Sequence, residues 1–366
     1  MADYLLTLNL GSSSLKYGLY HWPSLACHKT ETRDFDSQTD TAVGLALQLL
    51  WDEIAQQGGL IVAVGHRVVH GGQQFTQPVI IDNEVLSSLE ALVVLAPLHL
   101  PAELAAIRWL NTQYPDIPQV ACFDTAFHAE QPELARLYGL PRQLTEQGVM
   151  RYGFHGLSYQ FISRRMQQCL PKKHQQRVIV AHLGSGASLC AMKQGKSIAT
   201  TMGFSALEGL MMGTRCGDLD PGALLHLLQQ KNMSVVEVET MLYKQSGLLG
   251  VSGISNDVRV LELSDAPAAQ QALDLFAYRA ALQLGSLTMA LGGIDAVIFT
   301  AGIGEHSAGV RQKIIDYLSW LGAEIDAEAN RQHVMAIHTE ESQLGIYVLA
   351  TNEELMIAEH THSLII

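Results

Sequence analysis

From Tyr4 to Lys16 the chain reads as a β-prone run that breaks at Gly11-Ser12 and resumes as a second strand. Val178–Leu189 repeats the arrangement, and Leu10-Gly-Ser-Ser-Ser-Leu15 aligns with Leu183-Gly-Ser-Gly-Ala-Ser-Leu189 through one inserted residue. The two glycines, Gly11 and Gly184, stand 173 positions apart in a chain of 366 residues. A period close to half the length points to a duplicated domain, since solenoid repeats are far shorter. Between these landmarks strand and helix patterns alternate, as in α/β architecture. Strands are predicted at Leu60–Val64, Gln119–Phe123, Arg177–Ala181 and Ala296–Thr300. Helices are predicted at Thr41–Gln56, Pro101–Gln113, Pro221–Gln229 and Ala269–Leu291, the last apolar enough to be mostly buried. The charged stretch Asp257–Pro267 reads as a surface connection.

Composition narrows the field. Apolar residues make up 48% and charged residues 16%, which excludes a disordered polyelectrolyte, and the length allows two cores. With 23 basic and 36 acidic residues the net charge is −13. So acidic a chain is poorly suited to wrapping nucleic acid or holding an anionic membrane, and any anionic ligand must be met by a few placed cations. Five cysteines, odd in number and without a C-x-x-C pair, fit neither a disulfide framework nor a zinc knuckle. The start Met1-Ala2-Asp3-Tyr4 lacks the basic region of a signal peptide, and Leu89–Leu100 is too short and broken to span a bilayer. The expectation is a cytoplasmic protein without membrane partners.

The candidate chemistry lies in glycine clusters. A strand that ends in Gly and small hydroxyl residues can close backbone N–H groups around a phosphate, or can simply form a hairpin turn. The duplication favours the phosphate reading. The second copy is neither a Walker loop nor a dinucleotide fingerprint, because Cys190 and Leu189 occupy positions that need small residues. A third cluster, Phe299-Thr-Ala-Gly-Ile-Gly-Glu305, suits close approach to a base or ribose, or an ordinary strand-to-helix turn. Arg67 in Gly65–Gly72 and Arg215 in Met212–Asp218 are cations set among glycines, and a guanidinium fork matches carboxylate and phosphoryl oxygens. No histidine spacing supports a metal site. His155, between Phe154 and Gly156, is the histidine nominated to meet developing charge. Asp124 and Glu353 are candidates for Mg²⁺, directly or through water, against the plainer reading of surface carboxylates.

Taken in order, ten segments resemble the acetate/propionate kinase family of the sugar kinase–actin–Hsp70 superfamily. They are Asn9–Lys16, Gly65–Gly72, Ala96–His99, Phe123–His128, Arg151–Gly156, His182-Leu-Gly184, Met202-Gly-Phe204 to Pro221, Gly247–Gly253, Ala301–Glu305 and Thr351–Leu355. The resemblance implies duplicated actin-like, ribonuclease H-like α/β domains flanking a nucleotide cleft. Residues 1–125 would form the first domain, completed by the helix 353–366, and 126–352 the second. It implies reversible, Mg²⁺-dependent transfer (Mn²⁺ could substitute) of the ATP γ-phosphoryl group to acetate or propionate, and a homodimer. Under it Arg67, Asp124, His155 and Arg215 are catalytic, and Arg67, Val69, Leu98 and Phe154 receive the acid. Ser12, Ser14, Lys16, His182, Gly184, Ser185 and Gly186 would meet phosphates. Asp257, Val258, Arg259, Gly302, Ile303 and Gly304 would hold the nucleoside, with Asn9 and Glu353 at the metal. The chain departs from the family pattern at Ser185 and Leu100 (usually Asn), Tyr159 (His), Ala206 (Pro) and His306 (Asn), and the spacer from Lys16 to Gly65 is short. These departures leave open a catalytically weak nucleotide-binding paralogue or a kinase for a longer acid such as butyrate.

Overall fold

β1 (Ala2–Leu10), β2 (Ser14–His21) and β3 (Cys27–Asp34) form an antiparallel meander at the start of the computed structural model, which describes residues 2–11, 14–34 and 39–366. Helix α1 (Asp40–Gln56) follows, its first turn capped by the Thr39 hydroxyl, which accepts the Ala42 N–H. β4 (Gly59–Val68) then pairs parallel to β1. After β5 (Val79–Ile80), α2 (Asn83–Ala91) and α3 (Leu100–Gln113), β6 (Gln119–Phe123) pairs parallel to β4. The sheet order is β3-β2-β1-β4-β6-β5.

The second sheet repeats this plan. β7 (Arg177–Leu183), β8 (Ala187–Lys193) and β9 (Lys196–Thr200) form a meander, and β10 (Ala296–Thr300) and β11 (Gly345–Val348) add in parallel, in the order β11-β10-β7-β8-β9. Three antiparallel strands followed by parallel ones thus occur twice, each meander turning at its Gly-Ser segment. Ser12 and Ser13 of the first turn lie outside the described residues.

The chain divides into two compact units. One comprises 1–129, 156–161 and 352–366; the other comprises 130–155 and 162–351. In the first unit, alternation along β1 explains the layering: Leu6, Leu8 and Leu10 join Val43, Leu47, Ala106 and Leu110 in the core beneath α1 and α3. Leu5 and Ala63 meet Ala358, and Val120 and Cys122 meet Met356 and Ile357, on the face covered by the C-terminal helix Glu353–Ile365. Gly65 permits that contact, because a Cβ there would lie 2.2 Å from the Thr361 hydroxyl.

In the second unit β7 is buried on both faces, as expected of a central strand of branched residues. The helix Pro267–Leu291 is only half buried: Phe276, Ala280 and Leu284 are covered, whereas Tyr278, Leu282 and Met289 are exposed. This corrects the expectation of a mostly buried helix. Ala and Leu on every face raise the mean hydropathy without identifying which face packs. Asp257–Pro267 is likewise more than a connection: Val258–Glu262 is a short helix anchored by buried Val258 and Leu261 and capped by the Asp257 side chain. Among the described residues no helix is long and apolar enough to cross a membrane.

Two buried imidazoles give the first unit an acid liability. His66 on β4 faces Gln119 Oε1 at 2.8 Å, and burial pulls its pKa down to about 4; burial does the same to His70. A depressed imidazole contributes stability above its unfolded pKa that is lost as pH falls toward the folded value. Carboxyls with raised values act in the opposite sense, so the effect is isolated by difference. The stability deficit of His66→Gln relative to wild type should shrink by about 2–3 kcal/mol between pH 7 and pH 4.5, as read from urea denaturation at both pH values.

Candidate active site

In the first unit the candidate side chains Asn9, Arg67 and Asp124 gather at the carboxyl ends of the parallel strands, where open α/β sheets bind ligands. Arg67, near the end of β4, donates through Nε (3.0 Å) and Nη2 (2.5 Å) to Asp124 Oδ2. Its Nη1 donates to Asn9 Oδ1 at 3.2 Å, from the end of β1. Asp124 itself follows β6 directly and is 1% exposed. Burial opposes the Arg67 charge, but Asp124 and Glu353 outweigh it and push its pKa up. Asn9 Nδ2 turns to Glu353 Oε2 (3.3 Å) and Glu354 Oε1 (3.4 Å), and Lys16 pairs with Glu354 at 2.8 Å. Val69 is buried, whereas Leu98 is 37% exposed. Ser14 begins β2.

These oxygens suit a hard cation. Burial, reinforced by Glu354, pushes the Glu353 carboxyl pKa up, so a divalent ion beside it would relieve a carboxylate that is costly to ionise. Mg²⁺ keeps several waters and needs only one or two protein oxygens, which Asn9 and Glu353 can supply. Among the described residues no group of three His, Cys, Asp or Glu forms a dedicated cage.

In the second unit the register of β7 and β8 sets His182 opposite Ser188. The His155 ring lies over this pair, with Nδ1 at 2.8 Å from Ser188 Oγ and the ring stacked on His182 at 4.2 Å and 18°. His155 has φ +56°, a left-handed conformation uncommon outside glycine. Gly186 leaves room beside it: a Cβ there would sit 3.3 Å from His155 Nε2 and 3.7 Å from Arg215 Nη1. Imidazole and guanidinium therefore flank the same glycine. Arg215 also donates to the Ala206 carbonyl at 3.1 Å, and Phe154 is buried.

Next to this turn is a cavity of about 450 Å³ lined by Gly184, Ser185, Asn256–Arg259, Glu262, Gly302, Ile303, His306 and Ser307. Asp257, Val258 and Arg259 face it from the short helix. Arg259 is 86% exposed and binds Asp257 at 2.6 Å. Gly302, Ile303 and Gly304 belong to the helix Ala301–His306, so the glycine cluster after β10 is a strand-to-helix turn; two of its residues line the cavity, and Gly304 does not. Fully buried Arg311 holds that helix by donating Nη1 to the Gly304 and Glu305 carbonyls, both at 2.9 Å.

Asn256, Glu262, Ser307 and Ser188 escaped sequence reasoning. The only signal for Ser188 was a hydroxyl within the apolar strand Ala187–Met192, and Glu262 was hidden in the charged stretch read as a connection. Tyr159, one of the departures from the family pattern, fills core space: it is fully buried, with its ring edge-on to His128 at 5.6 Å.

Gly186→Ala tests the spacing in the second unit. A methyl group forces His155 or the turn to yield by a few tenths of an ångström, without φ strain at residue 186. The expected result is about a tenfold fall in kcat with unchanged thermal stability, measured by steady-state kinetics and a melt.

Two sheets of one plan, each turning at a Gly-Ser segment, with a cavity at the second turn, define a duplicated actin-like ATPase fold. The acetokinase family model matches residues 26–359, and the chain belongs to that family. It is 47% identical over 389 aligned positions to an acetate kinase of Rhodopseudomonas palustris, covering 98% of each chain. It is also 50% identical over 330 positions to an acetate kinase of Nitrobacter hamburgensis, covering 90% of this chain and 81% of the relative. Among solved structures, a propionate kinase of Francisella tularensis superposes with a TM-score of 0.92 at 37% identity, over 99% of this chain and all of that one. An acetate kinase of Porphyromonas gingivalis gives 0.87 at 35% identity, over the whole of both chains.

Proposed function

We propose that this chain is a short-chain carboxylate kinase that reversibly transfers the ATP γ-phosphoryl group to acetate or propionate. Family membership carries the reading, and the placing of His155 and Arg215 around Gly186 gives it a mechanism. A carboxylate oxygen attacks the γ-phosphorus in line, the bond from phosphorus to the bridging oxygen breaks, and ADP leaves with that electron pair. The acid enters as an anion, so no proton has to be removed from it. The protein's task is neutralisation and positioning.

In the first unit Arg67 binds the carboxylate through its guanidinium while Asp124 holds the fork in orientation, and Val69 and Leu98 meet the acyl group. In the second unit His155 presents Nε2 to the equatorial phosphoryl oxygens, with Ser188 and His182 fixing its ring. Arg215 meets the same developing charge, and buried Phe154 is this unit's residue for the acyl group. Lys16, Ser14 and the Gly184–Gly186 turn receive phosphate oxygens, and the cavity along Asp257–Arg259 and Gly302–Ile303 takes the nucleoside. Mg²⁺, when bound, neutralises the phosphate oxygens, and Asn9 and Glu353 would hold it. The working form is a cytoplasmic homodimer, for which light scattering would return twice the chain mass.

The test is acyl-phosphate formation from ATP and Mg²⁺ with C2 to C4 acids, trapped as the hydroxamate. Product with acetate or propionate is expected. Product with butyrate alone would move the assignment to a longer acid, and no product with any acid would overturn it in favour of a nucleotide-binding protein without turnover.

A further inference from the structure

Glu103 is a carboxyl that the mechanism above leaves unused. It lies one turn into α3, four residues after His99, and is 1% exposed. Its Oε2 accepts the Val69 backbone N–H at 3.0 Å, and its Oε1 has no hydrogen-bond partner among the described residues. A buried acceptor left half satisfied is costly, and an apolar side chain would fill the place more cheaply. The cost falls at a pointed location. Val69 follows Arg67 by two residues, and Leu98 precedes the first residue of α3 by two, so Glu103 sits between the two stretches that carry the acyl-facing residues of this unit.

We propose that Glu103 is a positioning residue for the carboxylate substrate: it fixes the Val69 amide, and its charge is set against that of Arg67. This rests on the reading that Arg67 and Val69 receive the acid.

The surroundings make that charge conditional. Burial pushes the Glu103 carboxyl up to about 7, against the pull of Arg67 and the Val69 amide and with the help of Asp124. Charged groups on the neighbouring helices point to solvent: Asp40 and Asp52 on α1 and Glu84 and Glu90 on α2 are exposed, and Glu53 pairs with Arg33. His70 accepts the Gly72 N–H, and both it and His66 on β4 stay neutral, since burial lowers each pKa to about 4. Below pH 7 Glu103 is protonated, and Arg67 faces Asp124 and Glu353 as its main anionic neighbours. Above pH 7 Glu103 becomes a third, and less of the guanidinium's attraction is left for an incoming anion. The carboxylate KM should therefore rise as pH passes upward through 7, with kcat and the ATP KM little changed.

Glu103→Gln keeps an acceptor for the Val69 amide and removes the ionisation. In this variant the acid KM should be flat from pH 6 to 9, equal to wild type at pH 6 and about threefold or more below it at pH 8.5. Glu103→Leu removes the acceptor as well and should raise the acid KM at every pH, leaving the ATP KM unchanged. His99→Asn, the control for the titratable residue at the start of α3, should keep the wild-type pH dependence. Acetate binding measured calorimetrically over the same range reads the effect without turnover. If wild type turns over no acid yet binds acetate with this pH profile, and Glu103→Gln flattens it, the kinase reading fails and the role of Glu103 stands. The role is overturned if Glu103→Gln retains the wild-type profile, if His99→Asn abolishes that profile, if acid and nucleotide affinities fall together, or if acetate does not bind.

Discussion

Arg67→Ala should lower acyl-phosphate formation by about 10²–10³ per folded molecule, and it should lower the melting temperature as well. Both effects come from the same guanidinium. Removing it takes away the fork that would hold the acid's carboxylate, an electrostatic partner whose loss costs rate in that range. It also takes away the two N–H groups that Asp124 Oδ2 receives from Arg67, in a carboxyl that is 1% exposed. Removing one partner of a buried ion pair typically costs about 3–5 kcal/mol. The comparison must therefore be made on the folded fraction, with kcat/KM and a thermal melt measured on the same preparation. Arg67→Lys should recover part of the stability but little of the rate, because an ammonium cannot span Asp124 and Asn9 while offering a planar edge to a ligand. Near-normal turnover in folded Arg67→Ala would remove Arg67 from the substrate site.

Arg215→Ala should cost a similar factor in rate and almost nothing in stability. Arg215 is only half-buried, and it donates to the neutral Ala206 carbonyl at 3.1 Å. The loop that carries it is fixed by backbone bonds that the substitution leaves in place: Met212 N–H to the Arg215 carbonyl, Cys216 N–H to the Leu242 carbonyl and Ser246 N–H to the Thr214 carbonyl. A melt within about 2 °C of wild type, with kcat down 10²–10³, is the expected pair of results. A large fall in melting temperature would make Arg215 a structural residue, and unchanged kcat would remove it from the phosphoryl site. The two arginines look alike in sequence, each set among glycines, and differ in their surroundings: Arg67 donates to a buried carboxylate and Arg215 to a backbone carbonyl.

Local pattern was a sound guide where a strand or helix carries its own signal. Gln119–Phe123, Ala296–Thr300 and Pro221–Gln229 have the predicted bounds, because an apolar run or a proline at the first helical turn marks the ends. The duplicated Gly-Ser turns were visible for a similar reason: a tight turn between strands demands particular residues on the spot. Where a residue's role depends on what packs over it, the pattern misled or was silent. The charged stretch Asp257–Pro267 contains a helix because Val258 and Leu261 find a core, and Pro267–Leu291 buries one face although its composition favours burying all.

The same division holds at the site. Sequence alone sufficed to bring out the scarce arginines among glycines, the two-fold repeat and the family to which the chain belongs, since these depend on residue identity and order. Tertiary structure alone decided that Arg67 is held by Asp124 and Asn9, that Ser188 and His182 support His155, and that Glu103 is buried against the Val69 amide. The physical reason is the dependence of polar energetics on environment. A carboxyl or imidazole on a page has one charge and one pKa, and only burial and the partners brought from distant strands determine which charge it keeps.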